Sequence, residues 1–259
     1  MSRTRILLYG ATGRMGRAIR AALPEFPDVE LSLCVARGRD EQGAGSGSWM
    51  TPDQLLAKGS DLSPEIVVID VSLAAGTARL LDWLERAPRP LVSATTGLAD
   101  SEEARIGALA SRAPVLRARN LSVGNALVTR MLRAVPEGAR ALFQIDLVEH
   151  HHAAKRDAPS GTALLWASLL EGERQGKGKG SAAPSTKERA PGEVRIHSIR
   201  SGNAVGTHRA ILAGTGETIE IQHTVSDRAV FARGALCAAR FLQGKPPALY
   251  TLEHALGEF

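Results

Sequence analysis

Arg5-Ile6-Leu7-Leu8-Tyr9 is a short apolar run that leads directly into Gly10-Ala11-Thr12-Gly13-Arg14-Met15-Gly16, after which apolar residues recur at helical spacing through Ile19, Ala22 and Leu23. A strand, a glycine-rich turn and a helix in this order at the start of the chain predict a dinucleotide-binding unit, with a plain structural turn as the alternative. Glycines permit a tight turn and let the backbone approach a pyrophosphate, whose charge then rests on the N–H groups at the positive end of the helix. Thr12 stands where the usual fingerprint has its second glycine. Gly10, Ala11, Thr12, Gly13, Arg14 and Met15 form the candidate phosphate loop.

Outward from this unit the alternation continues. Val29 to Val35 reads as the second strand, Glu65 to Asp70 as an almost continuous apolar run of the kind buried on both faces of a parallel sheet, Leu91 to Ala94 and Pro114 to Arg117 as further strands. Helical patterns at 75–86 and 101–111 separate the later ones, so the first part is predicted to be a Rossmann-like, doubly wound α/β domain. The turn Thr95-Thr96-Gly97 falls at the carboxyl edge of that sheet, where such folds bind ligands. After the second strand, where an acid would bind the adenosine ribose, the chain reads Ala36-Arg37-Gly38-Arg39, with no acid before Asp40. Arg near that point accommodates a 2′-phosphate. Arg37, helped by Arg14 and Arg39, therefore predicts NADPH as the preferred cofactor over NADH. The segment 38–48, rich in Gly and Ser, reads as a plain connection past Arg39.

The second part differs. A helix at 124–135, a strand at 141–149, a helix at 160–171 and strands at 194–200, 208–213 and 218–224 predict an α+β domain with an open mixed sheet. Gly172 to Gly192, rich in Gly, Lys, Ser and Pro, reads as a surface loop. A long amphipathic helix over 227–242 ends the pattern.

Chemistry concentrates in Glu149-His150-His151-His152-Ala153-Ala154-Lys155-Arg156-Asp157-Ala158-Pro159-Ser160-Gly161-Thr162, at the end of a strand. Imidazoles exchange protons near neutral pH, and Lys155 adds a cation that pairs with an anion or delivers a proton. Pro159 and Ser160 look like a helix start, which makes the N–H groups of Gly161 and Thr162 a seat for a carboxylate. No metal is expected, because consecutive residues of a strand point to opposite faces and three successive His cannot share one ion.

This stretch is similar to the signature of the dihydrodipicolinate reductase family, from Glu149 to Ala163, and Gly10 to Gly16 resembles that family's cofactor loop. The resemblance implies a catalytic His at His151 and a catalytic Lys at Lys155, with either able to supply the proton, substrate contacts at His152, and a carboxylate held by Gly161 and Thr162. It implies nicotinamide-side contacts at Ala94, Thr95, Thr96, Arg119, Asn120, Leu121 and Ser122, NADPH or NADH as cofactor, and a cyclic imine dicarboxylate substrate in the diaminopimelate route to lysine. It also implies that the first domain spans 1–122 and is completed by 228–259, that 123–227 binds substrate and oligomerises, and that the assembly is a homotetramer. Gly206-Thr207-His208 resembles the family's Gly-x-His turn, with the His expected to be structural. Departures from the family pattern fall at Ala154, where a further His is common, and at Ala36, Val71, Ala74, Ala94 and Arg119.

Composition narrows the alternatives. The 259 residues, 44% of them hydrophobic, suffice for one large or two modest domains. A net charge of +5 (32 basic minus 27 acidic residues) is spread along the chain and aromatics are 4%, so no basic, aromatic-laced patch marks a nucleic-acid binder. No apolar run approaches the roughly 20 residues that span a bilayer. Cys34 and Cys237 show no disulfide or zinc spacing, which predicts a reducing, cytoplasmic setting. Two other readings compete with a reductase of this family: a different two-domain dehydrogenase acting on an amino acid or aldehyde, and a dinucleotide sensor without turnover. Survival of both His151 and Lys155 favours the reductase.

Overall fold

The computed structural model describes residues 3–38, 47–171 and 193–257; Arg39, Asp40 and the run Gly172 to Gly192 lie outside them. The chain forms two compact units, Met1–Val123 with Ala229–Phe259, and Gly124–Arg228.

The first unit begins β1 (Thr4–Tyr9), α1 (Arg14–Ala22), β2 (Val29–Val35), β3 (Ser48–Met50) and α2 (Pro52–Lys58), and continues β4 (Val67–Asp70), α3 (Ala74–Arg86), β5 (Leu91–Ser93), α4 (Asp100–Leu109) and β6 (Pro114–Arg117). The second holds α5 (Val123–Arg133, which starts at the boundary), α6 (Glu137–Arg140), β7 (Gln144–His151), α7 (Gly161–Glu171), β8 (Val194–Arg200), β9 (Gly206–Gly214) and β10 (Glu217–Val225). The chain then returns to the first unit with α8 (Ala229–Leu242), β11 (Ala248–Tyr250) and α9 (Leu252–Ala255).

In the first unit seven strands lie in the order β11-β6-β5-β4-β1-β2-β3, and every pair is parallel. Val67, Val68 and Ile69 are fully buried, as a strand covered on both faces requires. Leu7, Tyr9, Leu33, Val35 and Val68 share one core with Leu55 of α2, Leu80 and Trp83 of α3, and Ile106 of α4. Residues of opposite parity, such as Ile6 and Leu8, face the other side, where α1 and α8 pack together and α8 lies on β1, β4, β5 and β6. The chain moves outward from β1 in one direction and then restarts on its other side at β4, so the order reverses between them. That reversal opens a crevice beyond the carboxyl ends of β1 and β4.

The connection expected over 38–48 ends sooner than its composition suggests: Ser48 already belongs to β3, whose Trp49 pairs with Cys34. Three residues show no periodicity to read. The readable signal was the capping box of α2, in which Gln54 N donates to Thr51 Oγ1 (3.2 Å) and Thr51 N donates to Gln54 Oε1 (2.8 Å).

In the second unit the strand order is β10-β9-β7-β8, with β7 and β8 parallel and the other pairs antiparallel, which makes the sheet mixed. Burial along β7 alternates residue by residue, with Ile145, Leu147, Glu149 and His151 inward. Ile145 and Leu147 pack with Trp166 and Leu170 of α7 and Val128 and Leu132 of α5. Trp166 is fully buried and satisfies its indole N–H on Thr129 Oγ1 at 3.3 Å. The inward face therefore changes from apolar to ionisable between Leu147 and Glu149, at the carboxyl end of β7. The turn that closes α6 takes up residues 141–143, the predicted start of this strand, so β7 begins three residues later than Ala141.

Candidate active site

The glycine turn of the first unit lies at the sheet reversal. Gly10 has a φ of +90°, a conformation that glycine adopts without strain, and a Cβ there would sit 3.0 Å from the backbone of Val71 and Ser72 at the end of β4. Gly10 N and Ala11 N donate to Val35 O at 2.9 and 3.2 Å, and Gly13 N donates to Gly10 O at 3.0 Å, which folds the turn back on itself. A Cβ on Gly16 would lie 2.4 Å from Gly10 O, so only glycine lets α1 start this close to the turn. Gly13 is the N-cap of α1 and offers no side-chain cap, and no acid occupies the first turn. Thr12 and Met15 are half-buried, while Gly13 and Arg14 are exposed beside the helix end. This arrangement of backbone N–H groups, open space and positive dipole fits a pyrophosphate.

Nearby groups of the same unit have mixed accessibility. Thr96 is exposed and Ala94 half-buried, with Ala94 N donating to Asp70 O at 3.0 Å. Thr95 is buried and its hydroxyl turns back onto Ser72 O at 3.4 Å. Asp70 is fully buried: burial pushes its carboxyl up, although Ser72 N, Ser72 Oγ (2.6 Å) and Thr77 Oγ1 (2.5 Å) donate to it. Asn120 Oδ1 accepts from Ser122 N at 2.9 Å, an Asx turn that leads into α5, and Ser122 and Leu121 are buried. Arg119 is 74% exposed and pairs with Glu103, which Arg117 also clasps. Arg37 is exposed just beyond the buried Ala36, whose N–H donates to Met50 O.

In the second unit the ionisable groups at the end of β7 form one cluster. Glu149 is 1% exposed. Arg200, at the end of β8, grips both its oxygens, with Nη2 to Oε1 at 2.6 Å and Nη1 to Oε2 at 2.9 Å. Ser160 N donates to Oε1 at 3.3 Å, and His151 Nδ1 bonds Oε2. Burial alone would raise the Glu149 carboxyl, but the donors of Arg200, Ser198 and His151 hold it at about 2. His151 is lowered as well, but by burial, which disfavours its imidazolium; Glu149 opposes that, and Lys155 and Arg200 reinforce it. A Cβ on Gly206 would lie 3.1 Å from His151 Nε2, so the absence of a side chain on β9 makes room for that edge of the ring.

His208, expected to be structural, stands directly in this cluster. It lies opposite Glu149 on β9, its ring meets that of His151 edge to face at 5.1 Å and 74°, and Ser160 Oγ contacts its Nε2 at 2.9 Å. Burial, with His151 beside it, lowers its pKa to about 4, so it is neutral at working pH. Ser160 caps α7 by accepting from Ala163 N at 3.2 Å. Gly161 is exposed at the first helical position with no heavy atom within 4 Å of where a Cβ would be, and Thr162 follows half-buried. Lys155 Nζ donates to both oxygens of Asp157 at 2.7 and 2.8 Å, and Arg200 donates to Asp157 O at 2.6 Å, so the loop that carries Lys155 is fastened to the same guanidinium that grips Glu149.

The three consecutive imidazoles separate as a strand requires. His150 points to the other face and bonds Ser201 Oγ at 2.8 Å, and half-buried His152 follows the strand end. Among the described residues, Glu149, His151 and His208 bring ligand-type atoms within 4.8 Å of one another. They do not suit a cation, because Arg200 already places positive charge on both oxygens of Glu149. Arg200, His208, Ser160 and Gly206 were not singled out as site residues by the sequence. The available signal was parity: Glu149 and His151 are two apart on one strand and must share a face.

A reversed-order parallel sheet with a pyrophosphate-fitting glycine turn, in a chain whose second unit gathers a charged Glu, a His and a Lys, defines a two-unit oxidoreductase of the dinucleotide-binding class. Comparison with known proteins narrows this. Residues 4–121 match the family model for the dihydrodipicolinate reductase N-terminus and residues 124–256 that for its C-terminus. The 4-hydroxy-tetrahydrodipicolinate reductase of Thermomicrobium roseum is 40% identical over 96% of this chain and 98% of its own length, and that of Nitratiruptor sp. is 36% identical over the same shares. A solved structure, the dipicolinate-bound dihydrodipicolinate reductase from Paenisporosarcina sp. TG-14, shares the fold with a TM-score of 0.74 over 97% of this chain and 99% of that one, at 19% identity. The chain belongs to the dihydrodipicolinate reductase family.

Proposed function

We propose that this protein uses NAD(P)H to reduce 4-hydroxy-tetrahydrodipicolinate to tetrahydrodipicolinate with loss of water, in the diaminopimelate route to lysine. The observation that carries the reading is the Glu149–Thr162 region, whose proton-exchanging and anion-binding groups converge at one strand end in a chain that matches the family along nearly its whole length. Residues 1–122 with 228–259 form the dinucleotide domain, and 123–227 the substrate domain. Gly10 to Met15 seat the pyrophosphate, Arg37 meets the adenosine ribose and its phosphate, and Ala94, Thr95, Thr96 and Arg119 to Ser122 frame the nicotinamide.

When bound, the nicotinamide supplies the hydride. The chain's own residues bind and protonate the substrate. Gly161 and Thr162 offer the start of α7 to one carboxylate, and His152 and Lys155 add donors. The lowered pKa of His151 makes its imidazolium a willing acid, and a dianion bound beside it favours that charged form, so binding and protonation are coupled. His151 thus delivers the proton to the enamine left by reduction, and Lys155, held by Asp157, steadies negative charge beside it.

NADPH is the preferred cofactor in this reading, because Ala36 removes the acid that would repel a 2′-phosphate and Arg37 follows it. A homotetramer fits a sheet whose face away from α7 carries Val148, His150 and Ile199 with no covering helix among the described residues, and the setting proposed is the cytoplasm; among the described residues no helix is long and apolar enough to cross a membrane. Freshly generated hydroxytetrahydrodipicolinate should cause loss of NADPH absorbance. No oxidation of NADPH or NADH with that substrate, in a preparation that still binds dinucleotide, would replace this reading with a sensor or with a dehydrogenase of another substrate.

A further inference from the structure

We infer that Glu149 and Arg200 are positioning residues that fix His151 with a proton on Nδ1, leaving Nε2 as the nitrogen that transfers its proton to substrate. The inference rests on the reading of His151 as the proton donor. Glu149 is buried and ionised, and an ionised carboxylate only accepts hydrogen bonds, so the His151 nitrogen bonded to it must carry hydrogen. Further donors converge on that carboxylate, two N–H groups of Arg200, Ser160 N and the Ser198 hydroxyl, which orient it and keep its charge. Gly206 leaves space at Nε2, and the edge-to-face ring of His208 limits the tilt of the imidazole. In the reaction the Nε2–H bond breaks as the proton moves to the reduced substrate, and the Nδ1–H bond to Glu149 persists. The neutral ring that results is the tautomer this environment selects. Solvent then returns a proton to Nε2.

Arg200 couples this to the Lys155 loop through its bond to Asp157 O. The charged and titratable groups facing His151 are Glu149 on its own strand, Arg200 from β8, His208 from β9 and Lys155 from the loop before α7. Replacing Glu149 by Gln removes one acceptor and introduces one donor. The Oε1 position faces two fixed donors, Arg200 Nη2 and Ser160 N, whereas Oε2 faces one fixed donor, Arg200 Nη1, and the His151 ring, whose tautomer can change, so the amide oxygen belongs at Oε1 and the amide NH2 gives up the Arg200 Nη1 bond and turns toward His151 Nδ1. The ring then adopts the wrong tautomer, with hydrogen on Nε2. A neutral ring in that tautomer has its proton-accepting nitrogen facing away from solvent, and recharging at Nε2 fails.

Nitrogen-15 NMR of the His151 ring in the wild-type protein, above its titration, should show the Nδ1–H tautomer; the Nε2–H tautomer would overturn the inference without any variant. Glu149→Gln should switch the tautomer and lower kcat about 10²-fold or more, with substrate KM within about threefold and dinucleotide affinity unchanged. Retention of both tautomer and kcat would overturn it. Should Glu149→Gln fail to fold, Glu149→Asp keeps the charge but draws the carboxylate back by one methylene from the ring and from Arg200 alike, and should lower kcat about 10-fold while shifting the acid limb of the kcat profile; an unaltered profile and rate overturn the inference. His151→Gln separates the two levels. Full turnover in His151→Gln ends the reading of His151 as donor, whereas its loss together with an unimpaired Glu149→Gln ends only the positioning role.

Discussion

At the carboxyl edge of the first sheet the Gly10–Gly16 turn depends on side chains that are missing, and at the end of β7 the Glu149–Ser160 region depends on charges that are buried. The turn holds its ligand groups in place with backbone hydrogen bonds and close backbone contacts, none of which titrates. The cluster in the second unit is held by an ion pair, a His–carboxylate bond and a neutral buried His, all of which respond to protons. The first region should therefore be intolerant of one added carbon and indifferent to pH, and the second sensitive to pH.

The largest effect expected is at Gly234. An ideal Cβ there would sit 1.7 Å from Leu121 O, so α8 crosses the Asn120–Ser122 turn through a gap only hydrogen can occupy. Gly234→Ala should cost ~3 kcal/mol or more, because backbone on both sides must move. Thermal unfolding measures this, and a wild-type melting temperature would show that the helix yields easily. In the second unit, His151→Gln and Lys155→Ala should each lower turnover by about 10² or more with dinucleotide affinity nearly intact, since proton transfer is typically worth ~10² to 10⁴. Parallel losses of NADPH binding would mean that the two regions are not separable.

Acid should distinguish the units next. The folded pKa of His208 lies near 4 against an ordinary 6.5, so the unfolded chain takes up the proton first as pH falls. The stability it contributes is complete above pH 6.5 and lost on the way down to about 4, amounting to ~3 kcal/mol. Glu149, held at about 2, removes a further share below its ordinary 4.5. Asp70 in the first unit has the opposite sign: its carboxyl is raised by burial, so its contribution is present at low pH and lost as pH rises. Amide exchange followed from pH 7 to 4 should show β7 and β9 losing protection before β4. Uniform loss would contradict the contrast.

The same division explains what could be read in advance. Strands of the first sheet were legible because full burial leaves continuous apolar runs, as in Ile66-Val67-Val68-Ile69, and the glycine turn because its residue types are imposed locally. β3 and β11, three residues each, carry no period, and Gly234 owes its identity to a carbonyl more than a hundred positions away. In the second unit the motif residues His151 and Lys155 were legible as a cluster in sequence, whereas Arg200 and His208 join it only through strand register. His208 joins the cluster because β9 sets it opposite Glu149, a register that nothing local in the sequence states.

A smaller effect belongs to the start of α7. Thr162→Val removes a hydroxyl beside the proposed carboxylate seat while leaving the helix N–H groups in place. It should raise the Michaelis constant about 10-fold and lower turnover less, as expected when a contact is made equally in ground and transition states. An unchanged Michaelis constant would move the carboxylate seat away from this helix.

The smallest effect is at the far end of the cofactor, where the two materials meet in a single residue. Ala36 is buried and its N–H is committed to Met50 O, so the position that in related folds presents an acid to the ribose here offers only backbone. Arg37 follows immediately and is exposed, as is Arg14 at the start of α1. Exposed cations attract a 2′-phosphate only modestly, because solvent and salt screen them. Arg37→Ala should therefore reduce kcat/KM with NADPH by about 10-fold and leave kcat/KM with NADH almost unaltered, and the NADPH advantage of the wild-type protein should shrink as ionic strength rises. Ala36→Asp tests the same point from the other side: a carboxylate restored at that position adds a ribose acceptor and repels the phosphate, so it should improve NADH while weakening NADPH. Equal specificity constants for the two cofactors in the wild-type protein, or a loss in Arg37→Ala shared by both, would mean that the glycine turn alone holds the cofactor and that charge plays no part in the first unit.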